Sequence, residues 1–130
     1  MANYPADLRY TESHEWVSLN GDLATIGLTA FAVEQLTDLI VIDLGKPGRK
    51  VTAGGRLGEV ESVKSVNDIY APVAGEVVEI NAAVVADLEL LSNDPYGNGW
   101  LVKIKPDDSA AVSGLLSASE YQAKVESESH

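Results

Sequence analysis

The sequence contains no cysteine. That absence removes a disulfide framework, a thiolate nucleophile and a Cys-based zinc site together. Histidine is nearly as scarce: His130 is the last residue and His14 the only other imidazole. Basic residues are few, nine Lys and Arg against 20 Asp and Glu, for a formal charge of −11. Such a surface repels phosphate backbones and anionic headgroups, so no nucleic-acid or membrane partner is expected. No apolar run approaches the roughly 18 residues of a spanning helix, and the greasiest stretch, Leu39 to Ile42, reads as a strand. The opening Met-Ala-Asn-Tyr-Pro lacks the layout of a secretory signal and the Arg-rich character of a transit peptide, so a cytoplasmic location of bacterial type is expected.

What is present describes one globular domain spanning 1–130, with 45% hydrophobic residues in a chain long enough to bury a core unaided. Short β-like segments alternate with Gly and Pro through the first hundred residues. Trp16 to Leu19 and Leu23 to Leu28 flank Asn20-Gly21-Asp22, a hairpin with an Asn-Gly turn. Thr29 is placed to cap a short helix over Ala30 to Leu36. Further strands are expected over Ile40 to Leu44, Arg56 to Val63, Ser65 to Ala71, Gly75 to Ile80 and Trp100 to Lys105. Many short strands at this spacing imply an all-β sandwich or barrel. A weak echo relates Val51 and Leu57 to Val84 and Leu90, as if two strand–turn–strand units packed about a pseudo-twofold axis. Ser117-Ala118-Ser119-Glu120 has the capping-box form, so a C-terminal helix is expected over 117–127, with 128–130 frayed.

Catalytic constellations are not found. Covalent catalysis needs nucleophile, base and orienter together, and His14 beside Trp16 reads more simply as a structural or surface histidine than as a general base. Scattered carboxylates around one internal imidazole match no zinc spacing. Glu59 and Glu61 alternate along a strand, the pattern of a solvated face. Gly54-Gly55-Arg56-Leu57-Gly58 precedes a strand rather than the helix a phosphate loop requires.

Lys64 stands apart. It is the only basic residue between Arg56 and Lys103, an interval that holds eight carboxylates. Apolar-interleaved runs on both sides place it at a hairpin tip, with the small residues Ser62 and Ser65 beside it. A lysine that awaits acylation needs such an exposed, rigid bend. By spacing alone, an ordinary surface lysine is the simpler reading.

The wider pattern changes that balance. Glu61-Ser62-Val63-Lys64, followed by Asp68, Ala71-Pro72 and Gly75-Glu76-Val77, resembles the lipoylation site of the glycine cleavage H-protein family. Tyr10-Thr11-Glu12-Ser13-His14-Glu15-Trp16-Val17 resembles that family's amino-terminal signature. Ala24 to Thr29, Asn93 to Leu101, Lys103-Ile104-Lys105-Pro106 and Ser119-Glu120-Tyr121 resemble its other segments, in order along nearly the whole chain. The departures are mild. Gly45 stands where the family usually has Leu-Pro, Ser65 replaces an alanine after the lysine, Ala74 replaces a serine, and Leu88 sits where proline is common.

The resemblance implies a mainly β fold, the barrel-sandwich hybrid of lipoyl and biotinyl domains, with short helices and a C-terminal helix. It implies a monomeric carrier rather than an enzyme. Lipoic acid would be held in amide linkage on Lys64 as N6-lipoyllysine, with Glu61 and Gly75 as the lipoylation-motif context. Glu15 and Asp68 match acidic positions associated with the cleft in which the arm rests. The implied partners are glycine decarboxylase (P-protein), which loads an aminomethyl group, aminomethyltransferase (T-protein), which removes it, and dihydrolipoamide dehydrogenase (L-protein), which takes the electrons. A lipoyl-attaching enzyme completes the set. Two other readings stay open on the sequence: a lipoyl donor to other lipoate-dependent complexes, and an unmodified structural or regulatory relative.

Overall fold

The computed structural model describes residues 4–36, 38–108 and 110–128. Its strands are β1 (Arg9–Tyr10), β2 (Glu15–Asn20), β3 (Leu23–Leu28), β4 (Leu39–Asp43), β5 (Lys50–Val51), β6 (Arg56–Ser62), β7 (Val66–Tyr70), β8 (Gly75–Ile80) and β9 (Val102–Pro106). Five helices join them: α1 (Ala30–Gln35), α2 (Ala82–Ala86), α3 (Glu89–Asn93), α4 (Ala110–Ser113) and α5 (Ala118–Glu128). All pairings are antiparallel. One sheet runs β1-β2-β3-β9-β8-β5 and the other β4-β6-β7. This is the mainly β, two-sheet architecture with short helices that the sequence implies.

The core follows from strand alternation. Ile26 and Val17 from the larger sheet meet Ile42, Val60 and Ile69 from the smaller one in a single apolar cluster, since side chains two apart along a strand share a face. A second cluster is aromatic and seats α5. Tyr121 stacks on Tyr10 with ring centroids 4.8 Å apart, and Leu8, Trp16 and Val125 close around them.

Local chemistry sets the turns and caps. Asn20 pairs with Leu23, so the β2–β3 loop is Gly21-Asp22, one residue later than an Asn-Gly turn, with Gly21 at φ +63°. Gly27 lies opposite Trp16, and a Cβ there would stand 2.6 Å from the indole. Thr29 caps α1 by accepting from the Ala32 amide at 3.2 Å. The expected capping box forms: the Ser117 amide donates to the Glu120 carboxylate at 2.8 Å, and the Glu120 amide donates to the Ser117 hydroxyl at 3.3 Å.

Two expectations are corrected. The echo between Val51–Leu57 and Val84–Leu90 is not a repeated strand unit, because Val84 lies in α2 and Leu90 in α3. Asn81 explains why: its side chain accepts from the Ala83 amide at 3.2 Å and starts a helix where a strand would continue. The C-terminal helix runs one residue further than expected, to Glu128. The remaining part of the frayed segment, residues 129–130, lies outside the described residues.

Candidate functional site

Lys64 sits at the tip of the β6–β7 hairpin, exposed, where the register runs Glu61 opposite Val66. The Ser62 amide donates to the Ser65 carbonyl at 2.8 Å and closes the loop around Val63 and Lys64. Asn67 Nδ2 donates to Ser65 Oγ at 2.9 Å. A third tie comes from outside the hairpin, where the Val63 amide donates to the Asp38 carbonyl at 3.1 Å. Asp38 itself is held at φ +55°, a conformation that Asp tolerates better than most residues. The bend is therefore fixed by its neighbours while the lysine side chain remains in solvent.

Below this tip lies a cleft of about 370 Å³. Ser13, His14 and Glu15 form one wall, Leu28, Phe31 and Leu36 another, and Val60, Asn67, Asp68 and Ile69 of the hairpin the third. Asn67 is three residues along the chain from Lys64, roughly 10 Å of extended strand.

Glu15 is the buried charge of the site, 1% exposed at the start of β2. Thr11 Oγ1 and Ser13 Oγ donate to its Oε1 at 2.7 and 2.6 Å, and the Tyr70 amide donates to Oε2 at 3.4 Å. Burial nevertheless dominates and holds the carboxyl above its ordinary range, with the hydrogen bonds opposing that shift. A buried carboxylate of this kind is stabilised when a cation arrives beside it.

Asp68 lines the same cleft, but its carboxylate is engaged elsewhere. It accepts from Arg56 Nε at 3.0 Å, and Arg56 also bonds Glu59 at 2.6 Å. Asp68 pairs with Glu59, which pairs with Asp43, so these three share the outward face of the small sheet. Glu61 is half-buried on β6 between Val41 and Val66. Gly75 is buried at the start of β8, in the other sheet, opposite Pro106; a Cβ there would strike the Lys105 carbonyl and the Ile104 side chain. The structure thus brings Glu15 and the backbone around Asp68 together below Lys64, and leaves Gly75 outside that cleft.

His14 lines the cleft from a left-handed backbone, φ +74°. Its Nδ1 lies 2.8 Å from the Tyr121 hydroxyl, which is also 2.7 Å from Thr29 Oγ1. The ring is thereby tied to α5 and to the α1 cap. Sequence reasoning missed Ser13, Phe31 and Asn67 as cleft residues. Ser13 lay within the quoted amino-terminal signature, but nothing local marks Phe31 or Asn67. Among the described residues no group of three or more His, Asp or Glu is arranged to hold a metal ion. No helix among them is long and apolar enough to cross a membrane.

Residues 8–128 match the family model described as Glycine cleavage H-protein. The chain is 52% identical over 123 residues to the glycine cleavage system H protein of Acaryochloris marina, covering 95% of this chain and 96% of that one. It is 44% identical to the protein of the same name from Bacteroides thetaiotaomicron, covering 95% and 98%. The crystal structure of a glycine cleavage system H protein from Mycobacterium marinum superposes with a TM-score of 0.87 at 43% identity, covering 95% of this chain and 99% of that one.

Proposed function

This chain belongs to the glycine cleavage H-protein family, a family of carriers, and from that premise we propose that Lys64 is the attachment point of its lipoyl arm. The single supporting observation is an exposed amine on a fixed hairpin tip directly above a cleft that ends at a buried carboxylate. Those features suit the group. The amine is open to acylation, and the arm it would carry has a berth along the same hairpin. When attached, lipoic acid supplies a disulfide that opens to accept a one-carbon amine and is closed again by oxidation.

The chain's own residues then have three tasks. Lys64 presents the arm to glycine decarboxylase, aminomethyltransferase and dihydrolipoamide dehydrogenase in turn. Leu28, Phe31, Leu36 and Val60 keep water from its far end. Glu15 holds a proton on the cargo nitrogen, because an ammonium group beside it offsets the cost of burying the carboxylate. Asp68 contributes from the rim, partly neutralised by Arg56. The protein itself turns over nothing.

The test is mass spectrometry of protein incubated with a lipoate–protein ligase, lipoate and ATP, followed by reconstitution with the three partner enzymes. One adduct on the peptide containing Lys64, and glycine cleavage that depends on this chain, are expected. An adduct on Lys46, Lys50, Lys103, Lys105 or Lys124 instead, or cleavage unaffected by omitting the chain, would overturn the reading.

A further inference from the structure

The outer face of the β4–β6–β7 sheet carries apolar side chains that the carrier cycle described above does not use. Val41 pairs with Glu61, and Glu61 with Val66, so these three side chains stand in one cross-strand row pointing away from the core. Val41 is 44% exposed and Val66 57%. The register shifts between Leu39 and Val41, which makes Ile40 the extra residue of a bulge, and it is 53% exposed. Val63, beside the lysine, is 67% exposed. Such a patch on an edge strand is a liability unless something covers it.

The next row on the same face is acidic: Asp43, Glu59 and Asp68, with Arg56 held between the last two. Apart from Lys64, neither residues 10–45 nor residues 57–102 contain a Lys or Arg. The patch is therefore apolar, rimmed by negative charge, and continuous with the tip.

We propose that this face is the docking surface for the lipoyl-attaching enzyme, which meets it with an apolar ridge inside a cationic rim. The proposal rests on Lys64 being the acceptor. Continuity chooses the occupant. A bare lysine extends only one side-chain length beyond its bend, so an enzyme that acylates it must close over the flanking residues. Enzymes that act on the far end of the finished arm approach from further away. The acidic rim adds steering, which salt screens.

The experiment measures lipoylation by a lipoate–protein ligase at several carrier concentrations, comparing wild type with the triple variant Ile40→Thr, Val41→Thr, Val66→Thr. Threonine keeps the β-branched shape and removes the apolar contact. Val78→Thr with Val85→Thr, exposed apolar residues on β8 and α2, is the control. The KM for the triple variant should rise about tenfold, the size of one or two lost interface anchors, with kcat within about twofold. Added salt should raise KM for wild type and variant alike. Circular dichroism should show the variant folded. An unchanged KM overturns the proposal. So does a loss confined to the decarboxylase assay with pre-lipoylated carrier, or a wild-type dimer that the triple substitution dissolves while KM holds; these reassign the face to that enzyme or to a second copy. The Lys64 assignment is read separately, from the mass of the wild-type adduct, and survives any of these KM outcomes.

Discussion

The two ends of the cleft are built by opposite means. At the tip, apolar side chains face water and a cation stands alone among carboxylates. At the base, a carboxyl group is buried and takes hydrogen bonds from Thr11, Ser13 and the Tyr70 backbone. The tip spends its freedom on being reached. The base gives up solvation to hold one kind of visitor. The contrast shows how a carrier without catalytic groups divides its surface: presentation requires exposure on a rigid support, and protection requires a pre-formed environment that costs stability when empty.

The sharpest way to break the contrast is at the tip. Lys64→Arg keeps the charge and the fold but offers no amine for the lipoyl amide. Carrier activity in the reconstituted system should fall to background while the thermal unfolding midpoint stays within about 1 °C, because exposed substitutions change stability little. Residual activity above background would mean that another lysine serves.

The base should show the reverse, a large loss of stability from a residue that never meets cargo. Tyr121→Ala removes the ring that stacks on Tyr10 and the hydroxyl shared by His14 and Thr29. Denaturant unfolding should show a cost of about 3–5 kcal/mol, as for other large-to-Ala core changes. Tyr121→Phe, which keeps the stack, should cost about 1–3 kcal/mol for the polar partners left behind.

The smallest effect sharpens the electrostatic half of the contrast. Glu15 has its folded-state pKa raised above the ordinary value of 4.5 by burial. The folded state therefore holds its proton longer than the unfolded state, and this group's contribution to stability falls as pH rises from the unfolded pKa through the folded one. Subtracting the Glu15→Gln stability curve from the wild-type curve should leave that downward step and nothing at higher pH. The variant should also release loaded cargo several-fold faster, measured as the half-life of carrier separated from its enzymes. A flat difference curve with an unchanged half-life would make Glu15 a bystander.

Much of this arrangement is legible in the chain, for identifiable reasons. Alternation through Leu57, Val60 and Ile69 declares the hairpin and so the tip. The capping box and the Thr29 cap are side-chain chemistry within one helical turn, and both form as read. Illegible were α2 and α3, because Ala82–Ala86 is too short and uniformly apolar for its period to separate helix from strand. Two-residue strands such as β1 and β5 exist through their partners alone. The cleft was half legible. The Ser13–Glu15 segment stands in a recognisable signature, whereas Phe31 and Asn67 reach the cleft from other elements through tertiary packing. Asp68 teaches the subtler lesson. Its position was read correctly, but the pairing of its carboxylate with Arg56 follows from hairpin register, which the sequence leaves unstated until both strands are aligned.

The strand order carries a consequence in time as well as in space. β6 and β7 are joined through the bend at Lys64, and their pairing needs no distant segment. β3 and β8 both pair with β9, so Ala24 and Val77 alike wait for Ile104. On a ribosome the acceptor hairpin is complete well before the strand that unites the larger sheet has been made. Long-range pairing of this kind pays its loop-closure cost before any contact returns it. A nascent chain stopped short of β9 would expose two open strand edges, and truncation there should convert a well-behaved acidic protein into an aggregating one.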